Sequence, residues 1–255
     1  MSRILLMCGT PRSGTSYLAT VIGSHSRVVM GIERYKLRWV SGDVEPGLFA
    51  RERFFDLRAE DTVLPSRVVF PALGEMEAKF DTCEFVGDKY PHIVNKLNIV
   101  QARLPGSCVI FTLREPIAVA KSWDARAADP ADRWPKANGF EAGIAFWKQS
   151  LCNIVAAKAV GCQVVVLDFD RLVSGTDNEA SRHLASVFGQ IGASASEAPF
   201  SLLSRTRKRG GGGDQERNDA DARLLAHLVR DRSWQAFMSA FGPEGFTEPE
   251  WTQAS

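Results

Sequence analysis

The residues best suited to chemistry follow the first apolar run of the chain, in a loop rich in glycine and hydroxyl groups. Gly9 and Gly14 let the backbone turn sharply and leave room for a ligand to approach it. Beyond the loop, apolar residues recur four positions apart, which is the spacing of a helix. The N–H groups of residues 13–16 would then meet at the positive end of a helix, a geometry that binds phosphate or another tetrahedral anion. The candidate anion-binding residues are Gly9, Pro11, Arg12, Ser13, Gly14, Thr15 and Ser16.

This loop differs from a nucleoside triphosphate loop at one chemically important place. The triphosphate pattern needs a lysine directly after its second glycine to reach the terminal phosphates. Here Thr15 follows Gly14 directly, and the cation stands earlier, at Arg12. The segment G-T-P-R-S-G-T-S resembles the 5′-phosphosulfate loop of the sulfotransferases, whose branches carry lysine or arginine at the Arg12 position. For the loop taken alone, the alternative is an ordinary turn between a strand and a helix.

Sulfotransferases move a sulfuryl group from 3′-phosphoadenosine 5′-phosphosulfate (PAPS) to a hydroxyl or amine and release adenosine 3′,5′-bisphosphate. The resemblance therefore implies PAPS as the cofactor of this chain. It also implies that no metal is needed, and the sequence has no cluster of metal-ligating residues.

A second motif begins at Arg114, which ends the clearest buried apolar run of the chain. Pro116 stands where proline is favoured, at the start of a helix. Ser122 lies two turns along that helix, above Glu115, after a climb of roughly 9 Å. Sulfotransferases bind the 3′-phosphate of their cofactor with an arginine and a serine at this spacing. The alternative is a helix start with a surface arginine and serine.

A basic tract runs into four glycines late in the chain, over residues 205–213. A free loop of this kind can order over a phosphate when the ligand arrives. It loosely resembles the Arg-Lys-Gly loop of cytosolic sulfotransferases, which implies cofactor contacts from Arg207, Lys208, Arg209 and Gly210. A solvated linker is the alternative for this tract.

Proton transfer and charge stabilisation need further residues, and looser family segments supply candidates. Glu33 follows the second strand, where several branches place a glutamate base, and Lys89 matches a lysine near the sulfuryl group. Arg12 and Lys89 would stabilise the leaving phosphate oxygen, and a base must take the acceptor proton. Glu33 is the first candidate for that base, His92 the second because histidine titrates near neutrality, and Asp88 the third. The alternatives are a salt bridge from Glu33 to a neighbouring arginine and a helix-surface position for His92.

The elements that must position these residues alternate between strands and helices. Apolar runs predict strands near residues 4–8, 27–31, 85–89, 107–113 and 162–167, and helices at 141–160 and 177–189. Asp177 is predicted to cap the latter, and Asn218 to cap the last helix. This alternation predicts an α/β fold, a P-loop-like parallel sheet with helices on both faces. We expect one domain over residues 1–255, with insertions at about 40–66 and 124–140, where residues 124–138 read as a loop.

Bulk properties exclude several classes of function. The formal net charge of +1 argues against nucleic acid or a membrane surface as a partner. The five cysteines include no C-x-x-C pair, so a zinc site or a disulfide framework is not expected. No apolar run reaches membrane-spanning length, and the first strand begins too early for a signal peptide. A cytoplasmic location is therefore expected.

Two rival functions stay open, and so does the acceptor. A kinase or NTPase using ATP and magnesium would fit the apolar strand that ends at Asp168, and a non-catalytic nucleotide-binding domain would fit the same fold. A sugar, a lipid headgroup, a phenol or a natural-product hydroxyl could accept the sulfuryl group, because acceptor selectivity resides in loops. Trp134, Phe54 and Phe55 could stack on an acceptor ring.

Overall fold

Five parallel strands form one sheet in the computed structural model, which describes residues 2–194, 218–244 and 246–252. The strands are β1 (Arg3–Gly9), β2 (Val28–Ile32), β3 (Phe85–Lys89), β4 (Cys108–Leu113) and β5 (Gln163–Asp168). Their spatial order is β2-β3-β1-β4-β5, and every neighbouring pair is parallel. This arrangement confirms the predicted parallel sheet.

Alternate residues of the central strand β1 point to opposite faces of the sheet and enter the core on each side. Leu5 and Met7 point to one face and Leu6 and Cys8 to the other, and all four are fully buried. A strand covered on both sides is expected to be a continuous apolar run, as β1 is. The chain leaves β1 toward β2 on one side and later reaches β4 on the other side. Ligands of open α/β sheets bind at such a switch point, beyond the carboxyl ends of the strands.

Helices cover both faces of the sheet. Helices α1, α9 and α10 contribute to the core on one face, and α8, α11 and α12 contribute to the other. The helices in chain order are α1 (Thr15–Gly23), α2 (Lys36–Ser41), α3 (Arg51–Phe55), α4 (Ser66–Val69), α5 (Leu73–Lys79), α6 (Leu97–Arg103), α7 (Pro116–Ala128), α8 (Phe140–Ala159), α9 (Phe169–Val173), α10 (Asp177–Ile191), α11 (Asp219–Leu228) and α12 (Arg232–Phe241).

Several predicted helix ends are wrong. Helix α10 is capped by Thr176, whose hydroxyl accepts from the Glu179 N–H while the Glu179 carboxylate accepts from the Thr176 N–H, so Asp177 is the first helical residue. Helix α7 continues to Ala128, because residues 125–128 are strong helix formers, and only residues beyond it form the predicted loop. Asn218 does cap α11, but α12 follows it, so α11 is not the last helix.

The segment between β2 and β3 is built around one buried ion cluster. The Asp61 carboxylate accepts from Arg34 at 2.7 Å, from Arg38 at 3.1 Å and from Arg53. Asp61 and Arg34 are fully buried, so the short helices of this segment are tied to the end of β2 from inside the protein. Phe54 is fully buried against neighbouring aromatic rings, which contradicts its predicted role in stacking on an acceptor.

Candidate active site

The loop after β1 can form only because two of its residues are glycines. A Cβ at Gly9 would lie 2.7 Å from the Thr112 carbonyl oxygen of β4, and a Cβ at Gly14 would lie 2.2 Å from the Phe169 ring. Gly14 also has a φ of +82°, which side chains rarely adopt. The Ser13 N–H donates to the Thr10 carbonyl at 3.0 Å, so it belongs to the turn. The prediction that this N–H is free to bind an anion is therefore wrong.

Arg12 lies where the two sequence motifs meet. Its Nε donates to the Ser122 hydroxyl at 3.1 Å, and the Arg114 guanidinium donates to its carbonyl oxygen at 3.0 Å. Burial and the positive charges of Arg126 and Arg114 lower the pKa of Arg12, so three arginines form a cationic corner of the protein here. The structure therefore brings together the three residues predicted to bind the two phosphate groups of a nucleotide.

Lys89 connects the loop to the predicted base. This lysine is fully buried, and its Nζ donates to the Ser16 hydroxyl at 2.9 Å and to Glu33 Oε1 at 3.1 Å. Burial lowers the pKa of Lys89, although the carboxylate of Glu33 opposes that effect. Lys36 lies 3.5 Å from the other oxygen of Glu33. Glu33 thus forms salt bridges with two lysines and not with a neighbouring arginine, and one of them is the lysine predicted to act at the sulfuryl group.

The two remaining candidates for the base differ in access. His92 is half-buried, its ring packs against Tyr90 and Phe146, and burial lowers its pKa. Asp88 is fully buried, and both of its oxygens accept backbone N–H groups, from Arg34 and Tyr35. Asp88 therefore does not reach the site as a base, which corrects its position as third candidate.

Three buried polar atoms around the loop have no hydrogen-bond partner within the described part of the chain. They are the Ser13 hydroxyl, the Thr112 hydroxyl and Arg114 Nε. Buried polar groups are normally paired, so orphaned donors in one place indicate a ligand that pairs them. These atoms, the glycine loop and the cationic corner fit a nucleotide with two phosphate-type groups. The sequence did not indicate Thr112, because a threonine in a buried strand carries no signal of its own.

Two tryptophans hold the backbone of the two motifs in place. The Trp123 indole of α7 donates to the Pro11 carbonyl at 2.7 Å, and the Trp147 indole of α8 donates to the Arg114 carbonyl at 3.0 Å. Phe169 packs under the loop, with the Arg114 guanidinium 4.7 Å from its ring centre. The site is therefore supported from behind by three aromatic side chains.

A cavity separate from this loop lies among Glu115, Asp168 and residues of α9 and α10. It has a volume of about 650 Å³ and is lined by Asp168, Asp170, Glu179 and Glu250, among others. Burial and Asp168 raise the pKa of Asp170 to about 7. Carboxylates outnumber the cations Arg171 and Arg182 in this lining, so the anion site is assigned to the loop and not to this cavity.

The remaining predicted site residues lie outside the described residues or close to the loop. Arg207, Lys208, Arg209 and Gly210 lie outside the described residues. Trp134 is half-buried and packs edge-on against Trp123, close to the loop. Within residues 2–194, 218–244 and 246–252, no group of three metal-ligating side chains comes together, and no helix is long and apolar enough to cross a membrane.

The chain matches a known family model and superposes on two solved structures. A family model described as the sulfotransferase family matches residues 5–187 of the chain. The sulfotransferase domain from the curacin biosynthetic pathway superposes with a TM-score of 0.54 at 16% identity, covering 99% of this chain and 95% of that one. Sulfotransferase STF1 from Mycobacterium tuberculosis H37Rv superposes with a TM-score of 0.51 at 14% identity, covering 94% and 77%. No curated protein matches the chain.

Proposed function

The chain belongs to the sulfotransferase family, and we propose that it transfers a sulfuryl group from PAPS to a hydroxyl or amine of a small-molecule, carbohydrate or lipid acceptor. One observation carries this proposal. Arg12 contacts both Ser122 and Arg114, while Lys89 joins Ser16 of the same loop to Glu33. Donors for two phosphate groups, a buried cation and a carboxylate thus lie around one loop.

The donor would be held at both of its charged ends. The loop N–H groups at the start of α1, with Arg12 and Ser16, would bind the 5′-phosphosulfate. Arg114 and Ser122 would bind the 3′-phosphate, and the free Arg114 Nε is a charge-assisted donor for it. Within the described part of the chain the Ser13 and Thr112 hydroxyls have no partner, both side chains lie close to Gly9, and the two hydroxyls would complete the set.

PAPS would supply a sulfuryl group that is already attached to a good leaving phosphate. Arg12 and Lys89 would stabilise the negative charge that develops on the bridging phosphate oxygen as its bond to sulfur breaks. Glu33 would take the proton that the acceptor loses as its oxygen or nitrogen bonds to sulfur. Lys89 contacts Glu33 directly, so the lysine would also hold the carboxylate at the site of proton transfer.

The alternative hypothesis, a kinase or NTPase, has less support. Its magnesium ligand would be Asp168, but this carboxylate is buried and accepts the Arg171 N–H at 3.1 Å as the cap of α9. No lysine follows Gly14 to compensate the charge of a triphosphate. The presence of the Lys89–Glu33 pair also argues against a binding domain that has lost its chemistry.

Transfer from labelled PAPS tests the proposal. The wild-type chain would be screened with a panel of phenols, sugars, lipid headgroups and amines, and then compared with Arg12→Gln and Arg12→Lys. We expect Arg12→Gln to lower turnover by roughly 10²–10³-fold, the range for loss of one oxyanion donor, and Arg12→Lys to keep most of it because it keeps the charge. Equal turnover by Arg12→Gln and wild type would contradict the proposed role of the loop.

A further inference from the structure

The backbone around Glu33 is held by three hydrogen bonds in a conformation that glutamate rarely adopts. Glu33 has a φ of +52°, in the left-handed region. Its own N–H donates to the Lys89 carbonyl at 2.6 Å. The next two N–H groups, those of Arg34 and Tyr35, donate to the two carboxylate oxygens of Asp88, at 2.8 and 3.0 Å.

The Asp88 side chain is placed to accept both of these N–H groups. It lies on β3 directly before Lys89, in register with Gly31 at the end of β2, and its side chain is fully buried. Each of its oxygens accepts one of the two consecutive N–H groups. An asparagine in the same place would supply one acceptor oxygen and would turn an NH₂ group toward the other N–H.

The turn is also fixed from its outer side. The buried Arg34 guanidinium donates to the carbonyls of Phe54 and Asp56, each at 2.7–2.8 Å, and to the Asp61 carboxylate. The residue after Glu33 is therefore held by its N–H on one side and by its side chain on the other. Both sets of bonds therefore oppose a displacement of the Glu33 backbone relative to Lys89.

We infer that Asp88 is a positioning residue for Glu33: it clamps the two peptide groups after Glu33 so that the carboxylate stays 3.1 Å from the Lys89 ammonium. This inference rests on the proposed function, in which Glu33 takes the acceptor proton. Misplacement of a reacting group by about 1 Å can lower a rate by about 10²-fold, so a clamp one residue away from the base has a measurable effect.

The test is a double-mutant cycle between Asp88 and Glu33. Turnover of Asp88→Asn, Glu33→Gln and the double variant would be measured with labelled PAPS and the panel acceptor that gives the most product with the wild-type chain. We expect Asp88→Asn to lower kcat by roughly 10–100-fold and to change affinity for adenosine 3′,5′-bisphosphate by less than about twofold. In the Glu33→Gln background, Asp88→Asn should add less than about twofold, because it acts through the missing carboxylate.

A structural control separates positioning from general loss of stability. Asp231 also caps a turn through its carboxylate, accepting the Ser233 N–H at 2.9 Å at the start of α12. Asp231→Asn should lower the Tm without changing kcat. If Asp88→Asn is folded and keeps wild-type kcat, or if its loss multiplies with that of Glu33→Gln, the inference is overturned.

Hydrogen exchange tests the clamp without any substitution that could unfold the chain. In the wild-type protein, the amides of Arg34 and Tyr35 should exchange as slowly as those of the neighbouring strands, and exchange at the rate of exposed amides would overturn the inference. A failure of the proposed function has a different signature: Glu33→Gln would turn over normally, or the wild-type chain would not bind adenosine 3′,5′-bisphosphate.

Discussion

Arg12 and Glu33 are the non-glycine residues with positive φ in the part of the chain that the structure describes, at 77° and 52°. Such a backbone costs about 1–3 kcal/mol and persists only where the surroundings fix it. Arg114 and Ser122 hold Arg12, and the Lys89 carbonyl holds the Glu33 N–H. Backbone strain at the residues proposed for charge stabilisation and proton transfer supports both roles.

The role of Glu33 gives the first prediction. Glu33→Gln keeps the shape of the side chain but removes its ability to take a proton, so turnover should fall by roughly 10²–10⁴-fold while the fold and the affinity for adenosine 3′,5′-bisphosphate are kept. Steady-state rates with labelled PAPS measure the turnover, and calorimetry measures the affinity for adenosine 3′,5′-bisphosphate.

His92→Asn is the matched control for that change, because His92 is the other candidate base. Its ring packs between Tyr90 and Phe146, and its substitution should cause a much smaller loss of turnover. Normal turnover by Glu33→Gln with an inactive His92→Asn would reverse the assignment.

Arg114 gives a prediction about binding rather than chemistry. Arg114→Ala removes a charge-assisted donor to the 3′-phosphate, which should cost about 1.5–3 kcal/mol, or roughly ten- to a hundredfold in affinity for adenosine 3′,5′-bisphosphate. Calorimetry checks this, and kcat at saturating PAPS should change far less. Unchanged affinity in a folded Arg114→Ala variant would remove Arg114 from the site.

Single residues were predictable from the sequence where an element fixes their direction. Arg114 follows the end of β4 directly, and Arg12 lies three residues beyond the end of β1. Ser122 faces them because helix α7 has a fixed repeat, so spacing was sufficient. Thr112 and the clamp formed by Asp88 were not predictable, because their roles depend on which strands are neighbours. The strained φ values also carry no sequence signal, since neither Arg12 nor Glu33 is a residue type that favours them.

At the scale of elements, the loop after β1 depends on glycine at residue 14. Gly14→Ala places a methyl group in the Phe169 ring at a φ of +82° and should destabilise the protein by about 2–5 kcal/mol, the combined range for left-handed strain and overpacking. Urea denaturation measures the loss.

Gly189→Ala is the matched control for the loop. Gly189 lies within α10, and a Cβ there would meet nothing within 4 Å. This change should be neutral or stabilise the helix by up to about 1 kcal/mol. If Gly14→Ala were as stable as Gly189→Ala, the described loop geometry would be wrong.

The segment between β2 and β3 depends on Asp61. Asp61→Asn leaves the buried Arg34 charge without its partner and should cost about 3–5 kcal/mol in the free energy of unfolding, whereas Asp43→Asn breaks only an exposed pair with Arg38 and should cost less than about 1 kcal/mol. Denaturation of both variants at pH 7 checks the contrast. Similar losses would contradict the buried cluster.

The same cluster predicts a pH dependence. Burial alone would raise the pKa of Asp61, but hydrogen bonds from Arg53, Arg34 and Arg38 outweigh it and hold the pKa well below its usual range. A carboxyl group whose pKa is lowered by folding stabilises the fold at pH values above its unfolded pKa of about 4. That stabilisation is lost as the pH falls from there toward the folded pKa. The wild-type protein should therefore be more stable than Asp61→Asn above about pH 4, and this difference in stability should shrink only below that pH. Thermal denaturation of both proteins across pH would show this.

The elements differ in how well the sequence predicted them. The strands are built on apolar runs, which identify buried parallel strands, although β3 ends in Asp88 and Lys89. Their predicted bounds agree with the structure to within about one residue. The segment after β2 was not predictable, because the Asp61 cluster joins charges up to 27 residues apart. Local patterns treat each of those charges as a surface residue.

At the scale of the whole molecule, the order of the strands creates the site. β1 is the central strand, with β3 on one side and β4 on the other. Lys89 therefore reaches the loop from one side, while Arg114 and Ser122 reach it from the opposite side. The sequence predicted a parallel sheet but not this order, because no local pattern shows that β3 lies between β1 and β2.

The central claim is that this site binds the sulfuryl donor, and thermal denaturation with two nucleotides tests it most directly. At a hundred times its dissociation constant, adenosine 3′,5′-bisphosphate should stabilise the protein by about 2.7 kcal/mol. ATP with magnesium should have a much smaller effect, because no lysine follows Gly14 to bind a triphosphate. Stabilisation by ATP with magnesium and none by adenosine 3′,5′-bisphosphate would contradict the claim.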